Sequence, residues 1–547
     1  MNKELKFGNE IRNELKAGID MLSNAVATTL GPAGRNVIIE KEYGAPVSTK
    51  DGVTVAKEIH VESKFQNIGI QILKEAASQT NDAAGDGTTT STVLAHAIIS
   101  EGMRRIELGA NPIELKRGIE KAVKFIVSEL KNTCQQISNS DDIKNVAMIS
   151  ANNDEEIGKI ITAAMDKVGK EGVITVEESK SAESSLEIVE GVQFARGYLS
   201  PYFINNNELM QVQLEEPYIL LYDKKISDIK ELVKLLEQVI AKNKPLLIIA
   251  DDVDGQALAT LIVNKIRGSI LCCAVKAPDY GQRKTQMLED IAILTGGKVL
   301  SPEKGDKLDK IQLEDLGTCR TVTVDNKNTT IIDGAGDPEK IKDRVLELKK
   351  LVDNATSDYD KEKYQERIGK LAGGVAILHI GADSEIEMKE KKDRVDDALH
   401  ATRAAVEEGI IPGGGIVLYQ LSKKYQNTEP KEYIQNIHND DQREGIITVM
   451  KAIQVPFMKI LDNAGFNADV IWKDLSLVEG NQNIGYDVRN EKIVDMYENG
   501  IVDPVKVTRV ALEKAASVAG VFLTTECAIA LSPDKDKNNQ PMYNPEY

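Results

Sequence analysis

The run Gly85-Asp86-Gly87-Thr88-Thr89-Thr90-Ser91 stands directly before an apolar series in which Val93, Leu94, Ala97 and Ile98 share one helical face. A helix start needs one capping oxygen, and Asp86, the threonines and Ser91 offer more than that. The surplus suits anion chemistry. A helix N-terminus behind glycines presents free backbone N–H groups and the positive end of the helix dipole, which attract phosphate. Threonine hydroxyls add donors. A carboxylate beside phosphate is repulsive unless a hard cation lies between them, so Asp86 asks for Mg²⁺. The chain contains no G-x-x-x-x-G-K-[ST] and is therefore not a P-loop protein. The turns Thr29-Leu30-Gly31-Pro32 and Pro412-Gly413-Gly414-Gly415 also end helical patterns and could approach a nucleotide, although each alone reads as a plain turn. Asp397, on the helical pattern that leads into the second turn, taken alone reads as part of a solvated face.

The elements that must position these residues follow from periodicity. A helix is predicted from about Phe7 to Leu30, ending at Gly31-Pro32. Val47, Thr49, Val53 and Val55 flank Lys50-Asp51-Gly52, which predicts a hairpin with Asp-Gly in its turn. Helices then dominate to about Lys131. In the middle, GVITVEES, SLEIVEGVQF, YILLYD, PLLIIADD, SILCCAVKAP and TVTVDN are short β-type runs, separated in places by helical segments such as Ile229–Ile240 and Gly255–Ile266. This predicts an α/β domain over about 191–374, with Gly373-Gly374 as a hinge. A helix is predicted over Glu385–Glu408, more helices to about Thr525, and a mobile charged tail. Helical ends flanking an α/β centre imply that the two ends pack together with the centre inserted between them.

Composition narrows the classes. The 547 residues allow several domains. A net charge of −18 disfavours nucleic acid and anionic membrane as partners. No long uncharged apolar run suggests a membrane span, and the acidic N-terminal segment resembles neither a signal nor a transit peptide, so a cytoplasmic protein is expected. The five cysteines are irregularly spaced, without a zinc pattern, and read as reduced structural thiols; the five histidines show no ligand spacing.

Long blocks, in order, carry a family resemblance: TLGPAGRNVIIEK, TKDGVTVAKEI, NDAAGDGTTTSTVLA, RGYLSPYFI, KPLLIIADDVDGQALATLIVN, and the stretch from LAGGVAILHI to GIIPGGG. The chain resembles the group I, GroEL-type chaperonins from about Lys6 to Cys527. The short span between Tyr198 and Val263 leaves no room for the helical protrusion of group II. The resemblance implies an α/β multidomain fold. Its equatorial ATPase domain would comprise 1–133 and 408–547, its intermediate domain 134–190 and 375–407, and its apical substrate-binding domain 191–374. It implies ATP, Mg²⁺ and K⁺ as cofactors. Thr29, Leu30, Gly31 and Pro32 would line the nucleotide, and Lys50 would lie by the phosphates near K⁺. Asp86 would bind Mg²⁺, with Gly87, Thr88, Thr89 and Thr90 holding phosphate. Gly414 and Asp503 would contact the nucleoside. Asp397 would position or deprotonate the attacking water, assisted by Asp51, consistent with the positioning and charge neutralisation that phosphoryl transfer needs.

The same resemblance implies capture of non-native polypeptides on an apolar apical rim of Tyr198, Tyr202, Phe203, Val233, Leu236, Leu258, Ile262 and Val263. Pattern alone reads these as core, but each of the two helices carries apolar residues on more than one face. The implied assembly is a homo-oligomer of two stacked seven-membered rings, closed by a GroES-type lid, that encloses clients and prevents misfolding under stress. A small-molecule phosphotransferase with the same Asp–Mg site, and a passive holdase, are the rival readings; the first would not need a ring, and the acids Asp51, Asp86 and Asp397 argue against the second. The chain departs from the family pattern at three places. Asp487-Val488-Arg489 follows Tyr486 where Asn-Ala-Ala is usual, which bears on base contact. APDYGQRKTQ replaces the usual Ala-Pro-Gly-Phe-Gly-Asp-Arg run. The Gly-Gly-Met tail is absent.

Overall fold

The two ends of the chain meet in one strand pair. In the computed structural model, strand Lys3–Phe7 runs antiparallel to Cys527–Leu531, with Leu5 opposite Ile529. The structure describes residues 3–40, 46–137, 140–151, 154–169, 173–179, 183–189, 191–207, 209–354, 357–372, 374–427, 437–478 and 483–531. The fold is mixed helix and sheet and divides into two units, Met1–Thr162 with Lys389–Tyr547, and Ala163–Met388. The boundaries fall inside helices Glu155–Val168 and Glu385–Glu408, so the residues expected to form an intermediate domain are shared between the units.

The first unit is mostly helical. Helix Gly8–Ala27 turns Ile11, Leu15, Ile19, Leu22 and Val26 inward, all fully buried, at the three- and four-residue spacing of one face. Helices Lys64–Ala84, Thr88–Glu107, Pro112–Thr133, Asp440–Ala452 and Val505–Leu523 join it around one core drawn from both ends of the chain, in which Leu94, Ile119, Val449 and Leu512 are also fully buried.

The second unit is built on a sheet in the order Cys272–Lys276, Leu246–Val253, Tyr218–Ile226, Gly317–Val324, Thr329–Gly334, Gly191–Phe194. The first three strands are parallel and read as near-continuous apolar runs because both their faces are covered. Helices Val233–Ala241, Gly255–Ile266 and Gly281–Thr295 follow strands of this parallel part. A separate three-stranded sheet places the buried Val375–Ile380 between Val173–Glu178 and Ser185–Val189.

Several sequence expectations are corrected. Lys50-Asp51-Gly52 is not a hairpin turn. Strand Val47–Thr49 pairs instead with Val37–Ile39, and Gly52–Glu58 is helical. The Asp51 carboxylate accepts from the N–H groups of Val53 and Thr54 and caps that helix. SLEIVEGVQF is two strands in two different sheets. Strand Val375–Ile380 and helices Pro338–Asn354 and Asp358–Ala372 lie where no element was expected. Of the expected hinge, Gly373 lies outside the described residues, as does the charged tail 532–547. Among the described residues no helix is long and apolar enough to cross a membrane.

Candidate functional site

Gly87 is the N-cap of helix Thr88–Glu107, at φ 81°, and no side chain caps it. The first helical bond runs from the Ser91 N–H to the Gly87 carbonyl at 2.9 Å, which leaves the N–H groups of Thr88, Thr89 and Thr90 without an acceptor within the helix. The surplus oxygens are therefore not capping this helix. Ser91 Oγ donates inward to the Ala76 carbonyl at 3.3 Å. The Asp86 carboxylate accepts from the Gly87 N–H, and its other oxygen accepts from Ser150 Oγ at 2.9 Å.

Two more acids come to this point from distant parts of the unit. A Cβ placed on Gly52 would lie 2.2 Å from Thr89 Oγ1, so the turn that carries Asp51 sits directly on the Thr88–Thr90 turn. Asp51 is held by Val53, Thr54 and the Thr54 hydroxyl, the last at 2.6 Å. Gly85, at φ 70°, is equally tight against the helix that bears Asp397, since a Cβ there would lie 2.2 Å from the ring of His400. The three carboxylates interact. Burial raises the Asp86 carboxyl above the ordinary carboxylate range and Asp51 raises it further, while the Gly87 and Ser150 hydrogen bonds oppose the shift. Asp397 is raised well above its ordinary range by burial, then by Asp86 and Asp51.

A cleft of about 420 Å³ opens in front of Asp86 and Gly87. Leu30, Gly31, Pro32, Thr90, Gly414, Asp487, Val488, Arg489 and Asp503, all named in the sequence analysis as candidates, line it together. Asp503 accepts from the N–H groups of Gly414 and Gly415, and burial and Asp86 push it up to about 6. The Leu30 turn is pinned by Asn463, whose side-chain amide donates to the Ala27 and Leu30 carbonyls, each at 2.9 Å. The remaining expected residues do not line the cleft. Thr29 is buried and donates its hydroxyl to the Val26 carbonyl at 2.8 Å, and Lys50 is exposed beside Asp51. Thr88 is buried beneath the helix start. Asp487 shapes its own turn, accepting from the Arg489 N–H at 2.9 Å and from Asn490 Nδ2 at 2.7 Å.

The reading of the sequence missed Ser150, Asn463, Phe457, Ile460 and Met496. The last three line the cleft as ordinary apolar residues, with nothing in their spacing to distinguish them from core.

In the second unit the expected apolar rim divides. Tyr202 is 66% exposed, Val233 41% and Val263 44%. Tyr198, Leu258 and Ile262 are half-buried against the core of the unit. Phe203 is fully buried and Leu236 is buried, so these two are core residues and not surface. In Pro201–Phe203, a single 3₁₀ turn, adjacent side chains cannot share one face, which is why Tyr202 points out while Phe203 points in.

Among the described residues no set of three Asp, Glu, His or Cys side chains is arranged to hold a metal ion alone. The donors present fit Mg²⁺ delivered with a nucleotide, because that ion takes one or two carboxylates and completes its shell with water and phosphate oxygens. The mutual repulsion of Asp51, Asp86 and Asp397 is what such a cation would relieve. Comparison with known families gives a match over nearly the whole length: the model of the TCP-1/cpn60 chaperonin family matches residues 22–533, and the chain belongs to that family.

Proposed function

We propose that the chain is a group I, GroEL-type chaperonin whose ATPase site is the cleft before Asp86. Membership of the chaperonin family supports a chaperone role in protein folding, with polypeptide substrates and ring assembly. The observation that carries the ATPase reading is the convergence of Asp51, Asp86 and Asp397 on an uncapped helix N-terminus.

ATP would enter with its base between the Leu30–Pro32 turn and the 487–489 turn, and its phosphates on the N–H groups of Thr88, Thr89 and Thr90. Mg²⁺ bound at Asp86 would supply the positive charge that lets phosphate lie beside carboxylates. Asp397 would orient the attacking water and receive its proton, and Asp51, already fixed by Val53 and Thr54, would assist. Lys50 would offset phosphate charge at the rim of the site, near a K⁺ ion.

Clients would bind Tyr202, Val233 and Val263 because apolar burial is non-directional and accepts many sequences. The group I reading is supported by the span from Tyr198 to Val263, whose described residues contain no long helical insertion. Two stacked seven-membered rings with a GroES-type lid, and residence in the cytoplasm, belong to the same reading.

Electron microscopy of the purified protein, with and without ATP and Mg²⁺, tests this function together with refolding of a denatured client. Ring particles that change shape with ATP and a client yield that depends on hydrolysis are expected. Small compact particles that still hydrolyse ATP would replace the reading with a phosphotransferase. Rings that hold client without turnover would replace it with a passive holdase.

A further inference from the structure

Helix Val455–Asn463 walls the cleft before Asp86 with Pro456, Phe457, Ile460 and Leu461. Its last residue, Asn463, is half-buried and does not line the cleft. Its side chain reaches instead to the turn that does. The Asn463 Nδ2 donates to the carbonyls of Ala27 and Leu30, each at 2.9 Å, across 436 and 433 positions of the chain. Both partners are acceptors, so only the NH₂ end of the amide can face them.

Ala27 ends helix Gly8–Ala27, and the last carbonyls of a helix have no donor within it. Local donors answer its neighbours. Thr28 Oγ1 donates to the Ala25 carbonyl at 2.7 Å, Thr29 Oγ1 to the Val26 carbonyl at 2.8 Å and the Arg35 N–H to the Thr28 carbonyl at 2.9 Å. The Ala27 carbonyl receives a longer local bond, 3.3 Å from the Leu30 N–H, and Asn463 adds a second donor. A further contact fixes the same turn. Ile460 lies one helical turn before Asn463 and so on the same face of its helix. A Cβ on Gly31, which sits at φ 83°, would lie 3.0 Å from Ile460 Cγ2. The Leu30–Pro32 turn is thus held on that face at two points, one apolar and one hydrogen-bonded.

We propose that Asn463 is a positioning residue for nucleotide affinity: it sets the place of the Leu30–Pro32 wall, against which the nucleoside part would lie, without touching the nucleotide. The inference rests on the ATPase reading of the cleft. Asn463 bonds this wall and not the Thr88–Thr90 helix start that would hold the phosphates. Its loss should therefore act on binding and leave the chemical step in place. A displaced wall costs affinity because a preformed site binds without first ordering itself.

The test is calorimetric titration of the full-length protein with ADP and Mg²⁺, paired with steady-state ATP turnover. Asn463→Ala should weaken ADP binding and raise KM for ATP about tenfold, since two hydrogen bonds are lost, with kcat within about twofold of wild type. Asn463→Asp has the same shape but sets a carboxylate against two carbonyls. It should bind ADP at least as weakly at about pH 8, and its deficit relative to wild type should shrink toward about pH 5.5, because a protonated carboxyl regains one O–H donor. Asn463→Gln keeps the NH₂ group on a longer arm and should recover part of the affinity. Melting temperatures of the nucleotide-free variants are measured alongside, and if Asn463→Ala is unstable the Asp and Gln variants decide. Wild-type ADP affinity in Asn463→Ala and Asn463→Asp overturns the role, as does a fall in kcat at unchanged affinity. A deficit that Gln does not relieve and that Asp shows equally at both pH values is general packing and overturns it too. Wild-type protein that binds neither ADP nor ATP overturns the ATPase reading and this role with it, whereas nucleotide binding unaffected by the variants overturns the role alone.

Discussion

Ser150 Oγ donates to Asp86 Oδ2 at 2.9 Å, although the two residues are 64 positions apart. This is a side-chain hydrogen bond that favours the charged form of Asp86 against the burial that disfavours it. Ser150 is therefore a positioning residue for the carboxylate that would meet Mg²⁺.

Ser150→Ala should raise the Mg²⁺ concentration needed for half-maximal ATP turnover roughly ten- to a hundredfold, the usual effect of losing a group that orients a metal ligand. The sign of the accompanying pH effect is fixed. Without the Ser150 donor the Asp86 carboxyl moves further up, so the acid limb of the pH–rate profile should shift to higher pH. A profile and Mg²⁺ requirement identical to wild type would show that the bond is incidental.

Asp397→Ala should keep nucleotide binding and slow turnover by roughly two or more orders of magnitude. Binding can be followed through Trp472, the single tryptophan, whose ring stands 5.1 Å from Tyr419, itself 4.8 Å from the cleft residue Phe457. Steady-state turnover near the wild-type rate would remove Asp397 from the reaction.

Gly85→Ala tests how the Asp397 helix is seated. The substitution strains a positive φ by about 1 kcal/mol and drives a methyl group into the His400 ring. Turnover should fall by more than the change in melting temperature accounts for, since His400 lies one helical turn after Asp397. Equal losses in stability and turnover would mean that the contact is only packing.

Tyr202→Glu and Phe203→Glu make opposite forecasts from adjacent positions. The first places a carboxylate on the surface and should abolish capture of denatured protein while Ala163–Met388 stays protease-resistant. The second buries an unpaired charge, which costs several kcal/mol, and should make the same unit protease-sensitive. Full capture by Tyr202→Glu would end its assignment as client surface.

Thiol labelling checks the second unit's core. Burial pushes Cys272 and Cys319 up to about 12 and raises Cys273 well above its ordinary range. In the native protein only the partly exposed Cys134 and Cys527 should label, and raising the pH from about 7 to 9 should not recruit the other three, because the thiolate is the nucleophile and theirs stays protonated. Labelling of all five without denaturant would contradict the burial.

Periodicity and punctuation were enough to predict helix Gly255–Ile266 with both ends and to mark Gly85-Asp86-Gly87-Thr88 as more than a cap, because those signals are local. Charge balance and cysteine spacing bounded the class for the same reason. Local signals could not say what Asp51 does: the Asp-Gly pair fits a hairpin turn and a helix cap alike, and the choice went to the cap when strand Val47–Thr49 found Val37–Ile39 as its partner. Nor could they separate Phe203 from Tyr202 or Leu236 from Val233, since burial is decided by which neighbours arrive from elsewhere in the chain. Residue types and spacing determined the candidate chemistry of the first unit. Tertiary structure decided which carboxylates meet, because the approach of Gly52 to Thr89 and of Gly85 to His400 depends on packing between segments from tens to hundreds of residues apart, and the same packing gave Asp86 its hydrogen bond from Ser150.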